Sequence, residues 1–470
     1  MLQNTAAFTA QDINAIFGTH AFVPDYFASV GVSTDTRTMQ PGSIFVALKG
    51  ERFDAHNNIG EAMIKGAACV IMEERWIEEW NAHLGREYPS FARVVVPSSL
   101  QALAQLALHH RKRCRIPVVA IAGAAGKTST KDLTAHVLSS RLNVLKTSAN
   151  YNNQVGTPLT LLGITKRHHA AVIEIGTNEP GEIELLAAMT HPTHGIITNI
   201  GKEHLEKLID LDGVEREETA LFRELEQRGG VPLVNMDDVR LAAYSSLPDA
   251  IRFTTQPDVH PDAEIRIHVG FTDELHPHLT IATPGWNGDV TMQTVGYASA
   301  LNAACAVAAA YSLGMEGDDV CNALTSYQPH VAESGYARMT LEEMGGIHIL
   351  NDCYNANPES MVLALRTLAA YPAAGNRIAL LGDMRELGDA AAAEHRTVLE
   401  AALTYADTVY VIGDEFRRAA EGNSRVVQLN TTAEANALPG ISIRAGDCVL
   451  VKASRGLAFE RILAAWREMQ

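Results

Sequence analysis

A lysine and a threonine that follow two closely spaced glycines form the strongest candidate site in this sequence. They belong to the run Gly123-Ala124-Ala125-Gly126-Lys127-Thr128-Ser129, which follows the apolar segment Val118–Ala122 and precedes a helical pattern. Glycines let backbone N–H groups turn towards an anion, and a helix start adds partial positive charge. Lys127 would neutralise phosphate charge, and the Thr128 hydroxyl would bind Mg²⁺. The pattern predicts an ATP or GTP site. An ordinary glycine turn is the alternative, since position 121 is Ile and the longer GxxxxGK[ST] pattern is not met.

Three further polar groups follow along the chain. Asn150-Tyr151-Asn152-Asn153 is a cluster of amides, typical of a binding loop or of a capped loop. Glu174 lies at the end of an apolar strand, and because a buried carboxylate is costly without a cation, a metal ligand is favoured over a core residue. His204 closely follows the apolar segment Gly195–Ile200. A lone histidine is usually structural, but the carboxyl edge of a sheet is where ligands bind, so both interpretations stay open.

The elements that must position these side chains are strands alternating with helices. Apolar strands near 118–122, 171–175 and 195–200 alternate with helices, which predicts a parallel α/β sheet. Residues 255–295 alternate in polarity and predict antiparallel strands. The α/β rhythm restarts after Tyr327-Gln328-Pro329, with strands near 347–351, 378–382, 408–412 and 447–451 and helices near 359–370 and 390–405. We therefore expect two α/β domains behind a smaller N-terminal one. The first junction falls in the basic run 111–117, whose arginines are expected on a solvated helix end or in a ligand site.

Composition narrows the class of protein. The 470 residues have a net charge of −17, which argues against a nucleic-acid partner. Hydrophobic residues make up 47% and charged residues 20%, as in a folded globular protein. The six cysteines include no CxxC pair, so neither a zinc site nor a disulfide framework is indicated. No apolar run is long enough for a bilayer, and no secretory signal opens the sequence. A cytoplasmic, monomeric protein is expected.

Taken together, in order and spacing, the motifs resemble the Mur ligases. The central motifs are Gly123–Ser129, Asn150–Asn153, Glu174–Gly176 and Gly201–His204. Asp352–Met361, Leu381–Gly388 and Val451–Arg455 look like the member of that family that adds D-alanyl-D-alanine. Ser33–Arg37 with Pro41–Gly50 looks like the segment that holds the UDP end of the substrate. The resemblance covers nearly the whole chain.

The resemblance implies an α/β fold with three domains. Residues 1–113 would form a small N-terminal α/β domain that binds the UDP substrate. Residues 114–328 would form a central P-loop ATPase-like domain that binds ATP. Residues 329–470 would form a Rossmann-like C-terminal domain on the D-alanyl-D-alanine side, which swings in to close the site.

The resemblance also implies an activity: ATP-dependent joining of D-alanyl-D-alanine to UDP-N-acetylmuramoyl-tripeptide through an acyl phosphate, in peptidoglycan synthesis. The implied catalytic residues are Lys127, Glu174, His204 and Glu218. One Mg²⁺ would lie on Thr128, and a second on Glu174, His204 and Glu218. The implied nucleotide-binding residues are Gly123, Ala124, Ala125, Gly126, Lys127, Thr128, Ser129, Asn302 and Arg338. The implied substrate-binding residues are Ser33, Asp35, Arg37, Lys49, Asn150, Asn152, Asn153, Asp352, Asn355, Asn357, Lys452, Ser454 and Arg455, with Asp383 on a neighbouring strand end.

Three alanines depart from the family pattern. Ala122 and Ala125 stand where the family usually has Thr and Asn. We expect Ala125 still to offer its backbone N–H to a phosphate. Ala298 stands where a histidine often accompanies Asn302, which weakens the assignment of Asn302 to adenine.

The largest departure is Glu218, which falls where the family has a carbamylated lysine. A glutamate is shorter but already anionic, so Glu218 is predicted to serve a second Mg²⁺ without bound CO₂. The alternative is a solvated acidic helix face formed by Glu215, Glu217 and Glu218. Two other functions also remain open: a different amide ligase of the same build, and a regulator that binds nucleotide without catalysis.

Overall fold

The computed structural model describes residues 4–329 and 337–468. They form two compact units. The first comprises the described residues up to 120 together with 142–176 and 182–193, and the second comprises the others. Within the described ranges, every helix is too short or too polar to cross a lipid bilayer.

The first unit is built around a five-stranded sheet. In spatial order its strands are Ala21–Phe22, Arg93–Val96, Cys69–Glu73, Ile44–Val46 and Val32–Ser33. Only the pairing of Ala21–Phe22 with Arg93–Val96 is antiparallel. The unit also contains the parallel pair Val144–Lys146 and Ala170–Glu174. Its helices are Ala10–Phe17, Ile59–Ile64, Ile77–Ala82, Leu84–Glu87, Ser99–Arg113, Gly156–Leu162 and Glu182–Thr190.

The second unit begins within the strand Val118–Ala122, every residue of which is buried. His194–Ile197, Val231–Asn235, Ile251–Thr254 and Ile265–Phe271 pair in parallel. Pro277–Ala282 and Asn287–Thr291 extend this sheet in antiparallel fashion, as the alternating sequence predicts. The accompanying helices are Lys127–Ser139, Leu205–Leu208, Leu211–Glu218, Ala220–Arg228, Tyr297–Ser312 and Gly317–Ser326.

The C-terminal part of the second unit contains a six-stranded sheet. In spatial order its strands are Thr340–Met344, Ile347–Asn351, Cys448–Lys452, Arg377–Gly382, Thr408–Ile412 and Val426–Leu429. Only the first pairing is antiparallel. The helices are Pro358–Ala370, Ala391–Tyr405, Asp414–Ala419, Thr432–Asn436 and Glu460–Glu468. Because the last strand inserts between the second and the third in chain order, the loops after 351, 382 and 452 meet at one edge.

The predicted strand and helix pattern is confirmed, including the doubly wound C-terminal part. Lys112 and Arg113 of the basic run are exposed, as a solvated helix end predicts, but Arg111 differs from both expectations. Its helix extends to Arg113, and Arg111 is buried rather than solvated. The Arg111 guanidinium donates to the carbonyls of Cys114, Ile116, Thr190 and His191. It therefore ties chain segments together within the first unit, because buried carbonyls need donors.

Candidate active site

The phosphate loop, Gly123–Thr128, connects a buried strand to the helix Lys127–Ser139. Gly123 and Gly126 have φ of +115° and +82°, a region that residues with a Cβ rarely adopt. A Cβ on Gly126 would lie 2.8 Å from Asn302 Oδ1, and one on Gly123 would overlap Thr198. Gly126 has no side chain with which to cap the helix that follows. The loop thus has the shape of an anion cradle at a helix start.

Asn199, which the sequence analysis missed, fixes the first half of this loop. Its carbonyl accepts the N–H of Ala124 at 3.0 Å, and its Oδ1 accepts the N–H of Ala125 at 3.0 Å. In this conformation the Ala125 N–H is therefore already hydrogen-bonded, and its contact with a phosphate stays a prediction. Thr198 Oγ1 and Asn199 Nδ2 donate to the Ala125 carbonyl at 2.6 and 3.2 Å. A phosphate that used this N–H would have to displace the Asn199 amide.

Lys127 lies between the loop and two buried acids. Its Nζ donates to the Gly123 carbonyl and to Glu203 Oε2, the latter at 3.0 Å. The Lys127 and Glu203 side chains are only 14% and 8% exposed. Glu218 is fully buried, and its Oε2 accepts the Gly123 N–H at 2.6 Å. The solvated acidic face is therefore wrong: Glu217 is buried too and accepts the Gly181 N–H, and Glu215 pairs with Arg240.

This cluster has more acid than base. Burial, and then the neighbouring charge of Glu203, raise the pKa of Glu218 well above its ordinary value, while Lys127 and the Gly123 N–H act in the opposite direction. Glu203 Oε1 and Glu218 Oε1 are both buried without a donor among the described residues. A proton shared between the two carboxyls, or a cation, would satisfy both oxygens.

That acid excess fits a divalent cation. Within residues 4–329 and 337–468, no three His, Cys, Asp or Glu side chains form a ready-made metal cage. Mg²⁺ commonly uses one or two carboxylates and takes its remaining oxygens from water and substrate phosphates. The donor set beside the phosphate loop is of that kind.

His204 lies on the histidine loop, Gly201–Ile209, which follows the strand His194–Ile197. His204 adopts a left-handed conformation with φ of +48°. Its Nδ1 is 2.7 Å from Glu386 Oε2, and its Nε2 is 3.8 Å from Glu203 Oε2. The hydrogen bond from His204 lowers the pKa of Glu386. The imidazole thus lies next to the acids of the phosphate loop.

Asn302 contacts the same loop from the helix Tyr297–Ser312. Its Oδ1 accepts the Thr130 hydroxyl at 3.0 Å and lies close to Gly126. The side chain therefore supports the loop, and its Nδ2 remains available for other contacts.

Glu174 and the amide cluster meet within the first unit. Glu174 is buried, and its Oε1 accepts from Asn152 Nδ2 at 2.9 Å. Asn153 Oδ1 instead accepts the N–H groups of Val155 and Gly156, where a helix begins. The cluster thus divides: Asn153 caps a helix, Asn152 orients the carboxylate, and Asn150 is exposed.

The N-terminal candidates lie near the surface of the first unit. Asp35 accepts from the Arg37 guanidinium at 2.7 Å, and this hydrogen bond lowers the pKa of Asp35. The Arg37 side chain is 81% exposed, and Lys49 is also exposed. Ser33 Oγ donates to the Asp35 carbonyl, which shapes the turn between them.

The C-terminal candidates largely hold each other in place. Lys452 is buried and donates to Asp352 Oδ2 at 2.6 Å and to the Asn355 carbonyl at 2.9 Å. Asn357 caps the helix Pro358–Ala370 by accepting the Ser360 N–H. Ser454 accepts the Arg385 N–H. These contacts fix the loops at the carboxyl edge of the sheet.

Two further roles emerge at that edge. Asp383 accepts the N–H groups of Glu415 and Phe416 and so caps a short helix. Tyr354 has two guanidinium groups over its ring, those of Arg338 at 3.8 Å and Arg455 at 4.9 Å. Two cations held on one aromatic ring suit an anionic ligand.

Sequence reasoning missed Asn199, Glu203 and Glu386. All three lie within a few residues of the carboxyl end of a strand, which is the signal that singled out His204. Glu217 and Glu218 had a clearer signal. Val214 and Leu221 are buried and lie three or four residues from each of the two acids, a spacing that puts all four side chains on the same side of a helical pattern.

Sequence profiles of three Mur ligase domains match this chain. The profile of the Mur ligase middle domain matches residues 121–310, and that of the Mur ligase, glutamate ligase domain matches residues 337–455. The profile of the Mur ligase family, catalytic domain matches residues 29–111. Together they cover most of the chain.

Relatives and solved structures agree. The UDP-N-acetylmuramoyl-tripeptide–D-alanyl-D-alanine ligase of Bacillus subtilis is 30% identical and covers 94% of each chain. That of Escherichia coli is 31% identical over 93% of each. The crystal structure of MurF from Acinetobacter baumannii has a TM-score of 0.85 at 28% identity and covers 98% of this chain and 99% of its own. MurF from Thermotoga maritima, solved with ADP, gives 0.81 at 25% over 93% and 97%. With such identity along nearly its whole length, this chain belongs to the Mur ligase family.

Proposed function

We propose that this chain joins D-alanyl-D-alanine to UDP-N-acetylmuramoyl-tripeptide at the expense of ATP, giving the pentapeptide precursor of peptidoglycan. The observation that carries the proposal is the phosphate loop with Lys127 next to two buried acids. The names of the relatives along the whole chain supply the substrates. In this proposal the reaction takes place in the cytoplasm and the chain acts as a monomer.

The reaction proceeds in two steps. The terminal carboxylate of the tripeptide takes the γ-phosphoryl group of ATP, forming an acyl phosphate and ADP. The amine of D-alanyl-D-alanine then attacks the acyl carbon, loses a proton and expels phosphate, which leaves an amide. Neither step needs a protein nucleophile, so catalysis rests on positioning and on charge neutralisation.

In this proposal the phosphate loop and the following Ser129 bind the triphosphate, and Lys127 neutralises the group that is transferred. Asn302 and Arg338 contact the nucleotide. Mg²⁺ would be held by Thr128, Glu174, His204 and Glu218, and its chemistry would be to offset phosphate charge.

Different parts of the chain would bind the substrates. The UDP end of the tripeptide substrate would lie on residues 1–113, with Ser33, Asp35, Arg37 and Lys49 as contacts. Within residues 114–328, the substrate contacts would be Asn150, Asn152 and Asn153. The D-alanyl-D-alanine side would be residues 329–470, with Asp352, Asn355, Asn357, Lys452, Ser454 and Arg455 forming or supporting the pocket.

Glu218 would replace the carbamylated lysine of the family. Its full burial, the Gly123 N–H on its Oε2 and the neighbouring charge of Glu203 support this proposal, since a glutamate supplies a carboxyl group there without CO₂. Activity should be equal in CO₂-free buffer and in added bicarbonate, and Glu218→Ala should slow turnover. A requirement for bicarbonate, or unchanged turnover of Glu218→Ala, contradicts this role.

The test of the function is ADP release with defined UDP-muramoyl peptides. ADP should form only when ATP, the tripeptide substrate and D-alanyl-D-alanine are all present. Glutamate and D-alanyl-D-lactate in place of the dipeptide distinguish ligases with other amino substrates. Nucleotide binding without ADP release under every combination would identify a regulator and reject the ligase.

A further inference from the structure

The histidine loop is held by two separate sets of contacts from the C-terminal sheet and its helices. The first set anchors Lys202: its Nζ donates to Glu394 Oε1 at 2.6 Å, and its backbone N–H donates to Glu359 Oε1 at 3.1 Å. The second set anchors His204 through Glu386, whose backbone carbonyl also accepts the N–H of Glu206. All of these groups lie within the second unit.

Both partners of the second set adopt conformations that favour glycine. His204 has φ of +48° and Glu386 has φ of +67°. A side chain in the left-handed region costs of order 1 kcal/mol, so surrounding contacts must hold it there. Gly388 allows the approach, because a Cβ on it would lie 3.0 Å from the Cα of Glu206. Two strained residues are thus brought face to face.

The contact selects one nitrogen of the imidazole ring. An ionised carboxylate only accepts hydrogen bonds, so the proton between Glu386 and His204 must lie on Nδ1. The neutral ring then has its lone pair on Nε2. Nε2 is the atom that faces Glu203, 3.8 Å away, and Glu203 in turn binds Lys127. The carboxylate of Glu386 therefore determines that the Nε2 atom facing the phosphate loop carries a lone pair and not a proton.

We propose that Glu386 is a positioning residue that holds His204 through Nδ1 and so presents Nε2 as a ligand or acceptor beside the Lys127–Glu203 pair. This rests on the proposed function of that site. Its consequence is that the C-terminal part, which would bind the amine substrate, completes the nucleotide end of the site. A His204 ring without Glu386 would be free to turn and to carry its proton on either nitrogen.

The chain offers a matched control. Glu394 ties the same loop to the same part of the molecule, but its contact is Lys202 and not His204. If Glu386 acts only by holding the histidine loop against the C-terminal part, Glu394→Gln should have the same effect as a Glu386 variant. If Glu386 acts on the imidazole ring, Glu394→Gln should not have that effect. Because the Glu386 side chain is 59% exposed, we expect its substitution to leave the protein folded.

The first measurement uses the full chain without nucleotide or metal. Nitrogen-15 NMR of histidine-labelled protein at about pH 8.5, where imidazole is ordinarily neutral, reports which ring nitrogen holds the proton. His204→Gln assigns the signal. The wild type and Glu386→Gln, whose amide oxygen still accepts, should have the proton on Nδ1, and Glu386→Ala should shift towards Nε2. Glu394→Gln should match the wild type.

The second measurement is the Mg²⁺ dependence of ADP release. Glu386→Ala should raise the Mg²⁺ concentration for half-maximal rate about 10-fold or lower kcat by a similar factor, with Glu386→Gln in between. An unshifted His204 signal in Glu386→Ala overturns the proposal, as does a Glu394→Gln variant that matches Glu386→Ala in both measurements. If the wild type releases no ADP, the proposed function is wrong. The NMR measurement would still test whether Glu386 holds the His204 proton on Nδ1.

Discussion

Lys452 and Lys127 of the second unit have different partners, and the comparison distinguishes an ion pair that supports loops from a candidate reaction site. Lys452 is 2% exposed and meets one carboxylate, Asp352, and one carbonyl. Lys127 meets a carbonyl and Glu203, with Glu218 directly behind. The first set is balanced in charge and holds loops in place. The second has an acid in excess, which is what a site for a cation and a phosphate needs.

The largest expected effect is on the acid-rich cluster. Lys127→Met should lower the rate of ADP release about 10³-fold, because the charge on the transferred phosphoryl group loses its protein cation. Circular dichroism controls for folding. A variant that retains a tenth of the activity would remove Lys127 from catalysis.

The balanced pair should respond in stability instead. Lys452→Met leaves Asp352 without its cation, so the free energy of unfolding should fall by about 3 kcal/mol, measured as a lower urea midpoint of the C-terminal part. The double variant with Asp352→Asn should recover much of that loss, since it removes the stranded charge. An unchanged midpoint in the single variant would show that the pair contributes nothing.

The pH dependence of the free energy of unfolding tests the acid excess around Glu218. The folded pKa of Glu218 is above its unfolded value, so the folded state binds the extra proton and stability falls as the pH rises above about 4.5. Glu218→Gln, measured without metal, should flatten this fall and gain about 1 kcal/mol at pH 8. A wild-type curve that rises across that range would contradict the raised pKa.

His194, in the same unit, should make stability depend on pH in the opposite direction. Burial lowers its pKa to about 4 from 6.5, so the unfolded chain binds the proton first and stability falls as the pH drops from about 6.5 to 4. The loss amounts to about 3 kcal/mol. His194→Gln should remove that slope and leave the alkaline one, when both are read from urea midpoints. Equal slopes in variant and wild type would assign the acid transition elsewhere.

Local patterns in the sequence predicted the elements well. The run Val118–Ala122 followed by two glycines and Lys127 specifies strand, turn and helix from neighbouring residues alone. The C-terminal strands were predicted for the same reason. Their apolar runs are short and bounded by turns, which is typical of buried parallel strands.

Contacts between distant residues were not predictable in this way. Asn199 reaches Ala125 across 74 positions, and Glu203 reaches Lys127 across 76. No sequence motif reveals either contact, because each one depends on which strand ends become neighbours in the folded sheet. Glu386 depends further on a left-handed backbone that its residue type disfavours.

The engagement of Asn199 with the phosphate loop has a consequence for ligand choice. Because Asn199 already accepts two backbone N–H groups, one with its backbone carbonyl and one with its side-chain Oδ1, an arriving anion exchanges one hydrogen-bonded partner for another and gains little from that contact alone. Small free anions therefore bring too few interactions to compete. We expect the phosphate loop to stay well ordered and to bind such anions weakly. Tight binding should require a ligand with several linked phosphoryl groups.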